Sequence, residues 1–188
     1  MKKKTISLCM ITLNEENFLD TSLKNVKEYV DEIIIVDGGS TDSTVEIANR
    51  YGAKVYTHKW EDDFGKQRNY SLKYATKEWI LLIDADEIYE ESVLENLQLF
   101  ANNNIGIDIF AFPRKNYIDG KLTDAYPDKQ FRFFKNNIGI KYINKVHEMP
   151  VGYKMVGYPT DMHIIHKKTS QRQKLQNQKY DEIINREK

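Results

Sequence analysis

The chain has little cysteine, little proline and no long apolar run. Of its 188 residues, one is cysteine and four are proline. A single cysteine excludes an internal disulfide and is typical of a reducing compartment, so we expect a cytoplasmic protein. No run approaches the roughly 18 consecutive apolar residues of a membrane-spanning helix. Membrane contact is therefore expected only as peripheral contact at the inner face of the cell membrane.

The sequence also lacks an excess of charge of either sign. Its 28 lysine and arginine residues are matched by 28 aspartate and glutamate residues. Proteins that bind nucleic acid normally carry a basic excess, so this balance argues against a nucleic-acid partner. Hydrophobic residues make up 40% of the chain, which is enough to bury one core at this length. We predict a single domain over residues 1–188.

The first hundred residues alternate between apolar strands and helical patterns. Asn14, Ser43 and Ser92 are predicted to cap three of the helices. Repeating units with continuously apolar strands are typical of a parallel sheet covered by helices on both faces, so we predict an α/β fold. The predicted strands are 4–12, 33–36, 54–57 and 79–83, and the predicted helices are 14–29, 44–51, 67–74 and 92–100.

The pattern changes after residue 100. Short aromatic-rich segments, DIFAFPRKNYI, KQFRFFKN and MHIIHKK, alternate with glycine and proline. They predict antiparallel strands added at one edge of the sheet. The polar tail from Ser170 has few apolar anchors and predicts either a docking helix or a frayed one.

Polar clusters follow three of the predicted strands. They are Thr12-Leu13-Asn14-Glu15, Asp37-Gly38-Gly39-Ser40 and Asp84-Ala85-Asp86-Glu87. In an open α/β sheet, ligands bind beyond the carboxyl ends of the strands. The three clusters therefore predict one ligand site at that edge.

Asp84 and Asp86 are two residues apart, so on an extended segment their side chains point the same way. Two such carboxylates repel by roughly 3 kcal/mol at an effective dielectric constant near 20. A divalent cation, Mg²⁺ or Mn²⁺ shared with the phosphates of a substrate, would reverse that repulsion. The alternative is that Asp84 caps a turn while Asp86 and Glu87 are solvated.

The Asp37-Gly38-Gly39 segment is not a GxGxxG phosphate loop, because the acid precedes the glycines. A carboxylate there would accept hydrogen bonds from a base or a ribose, and the glycines would let a ligand approach the backbone closely. The alternative is a turn that leads into a helix, which leaves Asp37 without an explanation.

The ordered set TLNEE, IIIVDGGSTDST, FGKQRNYSL and WILLIDADE resembles family 2 glycosyltransferases with the GT-A fold. The resemblance is greatest to bacterial members that build lipopolysaccharide cores and surface polysaccharides. It is strong over residues 5–91 and continues more weakly through DKQFRFFKN, KVHEMP and HIIHKK. It implies a Rossmann-like, mostly parallel sheet with a smaller antiparallel C-terminal addition. Residues 1–100 would be the half that binds the nucleotide-sugar, and residues 101–188 the acceptor-side half with a C-terminal helix.

The same resemblance implies a metal-dependent, inverting transfer of a sugar from a nucleotide-diphosphate donor, a UDP-sugar, to an acceptor hydroxyl. The acceptor would be a glycan or a lipid-linked glycan of the cell surface, and the cofactor Mn²⁺ or Mg²⁺. Asp37 would recognise the base and Arg68 would face the nucleotide or its diphosphate. The remaining residues implied to line the donor pocket are Thr12, Asn14, Glu15, Gly39 and Ala85.

For the metal, the resemblance implies Asp86 as the more direct ligand and Asp84 nearer the ribose. His166 would complete the metal site, with His163 the next choice. The base is less clearly implied, because the Glu-Asp pair that many relatives carry after this region is missing. Glu148 is the candidate base, and its alternative is an ordinary salt bridge to Arg132 or Lys145. Asp124 and Asp128 are the reserve candidates, and Asp128 is also expected to contact substrate.

Two other functions remain open at this point. A nucleotidyltransferase shares the α/β sheet and the metal carboxylates, but it usually needs a basic, glycine-rich first loop, whereas TLNEENFL is acidic. A non-catalytic nucleotide-sugar-binding subunit is the other, because the chain is short for the family.

Overall fold

Four parallel strands form one half of the large sheet, in the order β3-β2-β1-β4. They are seen in a computed structural model that describes residues 3–102 and 106–186. Their side chains are almost all buried along β1, β2 and β4, as a strand covered on both faces requires. The strands are β1 (Ile6–Thr12), β2 (Glu32–Asp37), β3 (Lys54–Thr57) and β4 (Trp79–Leu82).

Helices cover both faces of these strands, and alternate residues of each strand enter two separate apolar clusters. Leu8 and Ile35 pack with the residues of helices α1 and α2 on one face. Cys9 and Ile34 lie on the other face, where Leu72 of α3 packs against them. The predicted parallel α/β architecture is confirmed. The helices are α1 (Leu19–Val26), α2 (Thr44–Arg50), α3 (Phe64–Tyr74), α4 (Glu91–Glu95) and α5 (Leu97–Ala101).

The second half of the chain extends the same sheet beyond β4, in the order β8-β6-β12-β5. Strand β8 is antiparallel to both β4 and β6, as predicted, whereas β12 is parallel to β6 and antiparallel to β5. Strands β9 and β10 form a small antiparallel sheet of their own. The strands are β5 (Glu87–Tyr89), β6 (Ile109–Ile118), β7 (Lys121–Leu122), β8 (Asp128–Lys135), β9 (Lys141–Ile143), β10 (Met149–Val151), β11 (Val156–Gly157) and β12 (Ile164–Lys168).

Of the three helix caps predicted from sequence, Ser43 is confirmed in position, and the other two are wrong. Asn14 has φ 56° and lies before the helix, which begins at Leu19. Ser43 occupies the N-cap of α2 without a side-chain cap bond, and α4 begins at Glu91 rather than after Ser92. Short polar side chains can hydrogen-bond other loops as readily as a helix end, so the cap pattern alone does not choose between these roles.

The polar tail forms helix α6 (Ser170–Asn185), which docks across the carboxyl edge of the sheet. Thr169 caps it by accepting a hydrogen bond from the Arg172 amide at 3.2 Å. Ile183 is buried, and Tyr180 lies edge-on to Phe64 with ring centres 5.5 Å apart. Of the two alternatives for the tail, the docking helix is the one observed. None of the helices in residues 3–102 and 106–186 has the length and apolarity to cross a membrane.

Glu32 ties three parts of the parallel sheet together at its amino edge. Its carboxylate accepts hydrogen bonds from the Ser7 hydroxyl at 2.6 Å and the Thr76 amide at 2.6 Å, and it pairs with Lys54 at 3.1 Å. Burial raises the pKa of Glu32, but these hydrogen bonds outweigh it and lower the pKa from 4.5 to about 2. The ionised carboxylate therefore stabilises the fold above pH 4.5, and that stabilisation is lost as the pH falls towards 2.

We predict that Glu32→Gln lowers the free energy of unfolding at pH 7 by about 1–3 kcal/mol, because charge-assisted hydrogen bonds are lost. The difference from wild type should shrink as the pH falls from 4.5 towards 2, where wild-type Glu32 becomes protonated. Urea unfolding across this pH range measures both effects. Glu28→Gln, at an exposed position, is the control and should change little. A deficit that is the same at pH 3 and pH 7 would contradict the assignment.

Candidate active site

The loops after β1 and β2 are joined directly at the carboxyl edge of the sheet. The side-chain oxygen of Asn14 accepts a hydrogen bond from the Thr41 amide at 2.8 Å. The Asn14 amide in turn donates to the Ser40 hydroxyl at 2.8 Å. The polar clusters at these strand ends therefore meet, as the sequence predicted, and the positive φ of Asn14 belongs to this junction.

Asp37 is buried at the end of β2 and organises the loop that follows it. One carboxylate oxygen accepts hydrogen bonds from the amides of Gly39 and Ser40 at 3.0 and 2.8 Å. The other accepts from the hydroxyls of Thr12 and Ser40 at 2.9 and 2.6 Å. These bonds use the usual capacity of a carboxylate, so the turn itself gives Asp37 a structural role. Base recognition by Asp37 stays a prediction.

Asp84 is held between two arginines. Its Oδ1 lies 2.8 Å from Nη2 of Arg68, and its Oδ2 lies 2.7 Å from Nη2 of Arg132. Burial opposes the charge of Asp84, but the two guanidinium groups outweigh burial and hold its pKa well below the usual range. The carboxylate is therefore compensated by the protein itself, and Ala85 beside it is buried.

The same pattern of opposite charges continues into the sheet. Glu87, which is 1% exposed, accepts hydrogen bonds from Arg132 at 3.0 Å and from Arg114 at 2.6 Å. Arg114 also donates to Oδ2 of Asp128 at 2.7 and 2.9 Å. Residues 114 and 128 face each other in the register of β6 and β8, so strand pairing itself places this ion pair. We call the series Glu148-Arg68-Asp84-Arg132-Glu87-Arg114-Asp128 the buried charge chain.

Glu148 begins the buried charge chain through Arg68. Its Oε1 accepts a hydrogen bond from Nε of Arg68 at 2.7 Å, and its side chain is 12% exposed. The salt bridge weighed as the alternative for Glu148 thus exists, but its partner is Arg68 rather than Arg132 or Lys145. Among the described residues, Oε2 of Glu148 accepts no hydrogen bond.

A close contact at Gly65 brings the Arg68 helix to Glu148. A Cβ atom at Gly65 would lie 2.5 Å from the backbone oxygen of Asn144, so any other residue would push α3 away. The amide of Phe64 donates to the backbone oxygen of Lys145 at 2.8 Å, which fixes the same approach. The first turn of α3 is therefore docked on the segment that leads to Glu148.

Asp86 faces His166, whereas Asp84 faces Arg68 and Arg132. Nε2 of His166 lies 3.1 Å from Oδ2 of Asp86, and His166 is 5% exposed. Nδ1 of His166 lies 2.7 Å from the amide oxygen of Asn116, whose amide nitrogen donates to Asp128 at 2.9 Å. Since Asn116 gives its NH₂ group to Asp128, it offers only an acceptor to His166, and Nδ1 must carry the proton.

In the neutral ring, this tautomer has a lone pair on Nε2 that points at a carboxylate oxygen. Two acceptors 3.1 Å apart repel unless a proton or a metal ion lies on them. Imidazole nitrogen and carboxylate oxygen both suit Mn²⁺ and Mg²⁺-type sites, and a ligating histidine usually donates its other N–H to an oriented acceptor. Asp86 and His166 therefore fit the divalent cation that the sequence predicted.

The pair does not form a complete protein cage. Within residues 3–102 and 106–186, no group of three or more Asp, Glu, His or Cys side chains has the geometry to hold a metal. The remaining ligands would be phosphate oxygens and water, as is usual for Mg²⁺. Direct ligation by Asp84 stays a prediction, since both its oxygens face arginines. His163, the second choice, pairs with Glu90 at 2.8 Å and Tyr126 at 3.0 Å instead.

Glu15 lies next to this pair and is bridged to it by helix α6. Nη2 of Arg172 lies 2.9 and 2.8 Å from the two oxygens of Glu15 and 3.2 Å from Oδ2 of Asp86. Burial raises the pKa of Glu15 to about 7, and the attraction of Arg172 offsets this only in part. The polar tail gave no sequence signal for Arg172, which is separated from Glu15 by most of the chain.

Several residues of the site were missed from sequence, and the signal for two of them was available. Arg114 and Arg132 stand inside the apolar segments FPRKN and FRFF, where an arginine needs a buried partner. Asn116 gave no such signal, because its role depends on the register between β6 and β12, which pairs it with His166. Asp124 is exposed, while Asp128 is occupied by Arg114, Asn116 and Gln130.

Comparison with known proteins identifies the family of the chain. A profile of glycosyl transferase family 2 matches residues 7–159. The SPbeta prophage-derived glycosyltransferase SunS of Bacillus subtilis is 35% identical over 158 residues, which cover 79% of this chain and 35% of SunS. A TPR repeat-containing protein of Synechococcus elongatus is 47% identical over 146 residues, which cover 77% of this chain and 35% of that protein. The chain thus spans about a third of the length of these curated relatives.

Solved structures share the fold. TarS (residues 1–349) from S. aureus, in complex with UDP-GlcNAc, aligns with a TM-score of 0.67 at 18% identity over 87% of this chain and 58% of TarS. Glucosyl-3-phosphoglycerate synthase from Mycobacterium tuberculosis, in complex with Mn²⁺ and UDP-glucose, aligns with a TM-score of 0.50 at 26% identity over 62% of this chain and 44% of the synthase. The family profile covers most of the chain, and the fold agrees with it. The chain therefore belongs to glycosyl transferase family 2.

Proposed function

We propose that this chain transfers a sugar from a UDP-sugar to an acceptor hydroxyl, with Mn²⁺ or Mg²⁺ as cofactor and inversion at the anomeric carbon. The observation that carries the proposal is the Asp86–His166 pair at the carboxyl edge of the sheet, where an imidazole nitrogen and a carboxylate oxygen face each other and can take a divalent cation between them. The Mn²⁺ and UDP-glucose in the mycobacterial synthase support the same donor and cofactor. Membership of the family argues against the nucleotidyltransferase alternative.

The first chemical requirement is to stabilise the negative charge that develops on the departing diphosphate. A cation held by Asp86 and His166 would supply this as a Lewis acid. The guanidinium of Arg68 is fixed in position, because Glu148 and Asp84 hold it from two sides. Among the described residues, Nη1 of Arg68 is buried without a hydrogen-bond partner. That N–H group is free to donate to a phosphate oxygen.

The second requirement is a base that takes the proton of the acceptor hydroxyl. We assign it to Glu148, whose Oε1 is held by Arg68 while Oε2 has no donor among the described residues. A single in-line displacement with this base would invert the anomeric centre. Arg68 then has two roles, because it orients the base and adds positive charge on the donor side.

Donor recognition is assigned to the joined loops of the parallel half. Asn14, Glu15, Thr12 and Gly39 line that edge, and Asp37 shapes the loop between them. Residues 101–188 would present the acceptor, a glycan or lipid-linked glycan of the cell surface, with the whole chain acting as one domain. Contact with the membrane would be peripheral and would follow from a lipid-linked acceptor.

We predict that Asp86→Asn weakens Mn²⁺-dependent binding of UDP at least tenfold, because the carboxylate that faces Nε2 of His166 loses its charge. Isothermal titration of UDP with and without Mn²⁺ measures the change. Glu28→Gln, at the opposite edge of the sheet, is the matched control and should bind as wild type does. An unchanged affinity in Asp86→Asn would reject the metal assignment.

We predict that Glu148→Gln keeps the donor affinity within about twofold but lowers kcat by 10²–10⁴-fold, the usual range for a general base. Glutamine still offers an oxygen to Arg68, so the donor side should stay in place. Donor titration and initial rates of sugar transfer separate the two effects. Full activity would move the base to Asp128 or Asp124, which Asp128→Asn and Asp124→Asn would then distinguish. UDP binding without turnover in wild type would instead favour the non-catalytic binding subunit.

A further inference from the structure

Arg172 of helix α6 makes an ion-pair bridge between two carboxylates of the site. A single nitrogen, Nη2, contacts both oxygens of Glu15 and Oδ2 of Asp86, at 2.9, 2.8 and 3.2 Å. The guanidinium carbon also lies 4.4 Å from the ring centre of Phe18. The Thr169 cap fixes the first turn of α6, so the position of Arg172 depends on where the helix starts.

Arg172 and the proposed cation use the same carboxylate oxygen. Oδ2 of Asp86 is the atom that faces Nε2 of His166, and it is also the atom that Arg172 contacts. A divalent ion on Asp86 and His166 would lie beside a guanidinium of the same sign. Two positive charges on one carboxylate oxygen repel each other strongly in a buried site, so the ion and the guanidinium weaken each other's binding there.

Helix α6 contacts several loops around the site. Besides Arg172, Lys179 lies 4.3 Å above the ring of Trp60, and Tyr180 packs edge-on against His147, next to Glu148. At its C-terminal end, Arg186 pairs with Asp62 at 2.5 Å. The helix therefore covers the segments to which the donor, the cation and the base have been assigned.

The attachment of α6 is mostly polar. Ile183 is the one residue of the helix that is buried among those described, and Leu175 is 60% exposed. Elements held by few buried apolar contacts open with free energies far below that of global unfolding. Release of α6 is thus the kind of local motion that loss of one bridge can produce.

We propose that Arg172 takes the place of the cation at Asp86 and that helix α6 is a cover that a divalent cation releases. The inference rests on the proposed function, since it takes the cation from it. Binding of the cation and docking of α6 exclude each other at Asp86, so they are negatively coupled. Coupling is reciprocal: docking of the helix weakens cation binding by the same factor by which the cation weakens docking, so removing Arg172 should strengthen cation binding.

The first test is the affinity for Mn²⁺ alone, measured by electron paramagnetic resonance of the free ion. Arg172→Met keeps an apolar side chain against Phe18 but removes the charge, and it should bind Mn²⁺ about 5–150-fold more tightly than wild type. Thr169→Ala removes the N-cap of α6 without changing a residue that contacts Asp86. It should bind Mn²⁺ about fivefold more tightly than wild type, because loss of an N-cap typically weakens a helix by about that factor. Lys174→Met removes an exposed charge from the same helix and should not change the affinity.

The second readout is hydrogen exchange over residues 170–185. Mn²⁺ should speed exchange of this segment in wild type, and Arg172→Met should show fast exchange before Mn²⁺ is added. Unchanged or weaker Mn²⁺ affinity in Arg172→Met overturns the inference, as does exchange in α6 that Mn²⁺ does not alter. These outcomes are separate from failure of the proposed function, in which wild type would bind no more Mn²⁺ than Asp86→Asn does.

Discussion

The buried charge chain is the interaction on which the site depends. Asp84 lies just after the fourth parallel strand and Glu87 begins β5, whereas Arg132 and Arg114 come from β8 and β6. Removing Arg68 would leave the carboxylate of Glu148 without its arginine, and breaking a buried pair in this way typically costs about 3–5 kcal/mol. Because the chain passes from Glu148 to Asp128, it also fixes the candidate base relative to the strand end. Stability and the geometry of the site are therefore set by the same ion pairs.

This arrangement changes the physical argument for a metal ion. The sequence reasoning relied on repulsion between Asp84 and Asp86, which a cation would relieve. In the structure, arginines already compensate Asp84, so the number of acids is not itself a sign of a metal. The indication of a metal site comes instead from His166. Asp128 accepts a hydrogen bond from the amide nitrogen of Asn116, and the amide oxygen of Asn116 in turn faces Nδ1 of His166 and sets its tautomer. Asp86 differs from Asp84 in its partners rather than in the number of carboxylates nearby: Asp84 faces two arginines, and Asp86 faces a histidine nitrogen.

Periodicity and strand ends were sufficient to predict the parallel sheet, its helical cover and the edge that carries the polar clusters. Those features follow from local burial patterns, which a single sequence contains. The cap of α1 could not be predicted, because Asn14 is engaged by Thr41 in a loop twenty-seven positions further on. Nor could the pairing of Asn116 with His166, since a parallel register between β6 and β12 creates it. Long-range register and helix docking thus account for most of what the sequence did not reveal.

Cys9, the single cysteine of the chain, is a built-in probe for unfolding of the whole domain. Cys9 lies in the central strand β1, between β2 and β4, with its thiol 3.6 Å from the backbone oxygen of Ser71. Burial raises the pKa of this thiol well above its ordinary value, so a modifying reagent meets no thiolate while the strand is covered. Release of α6 would not by itself expose the thiol, because Cys9 is packed in the interior of the sheet. The rate at which a thiol reagent labels Cys9 would therefore report unfolding of the sheet, and it would not respond to local opening of α6 at the edge of the sheet.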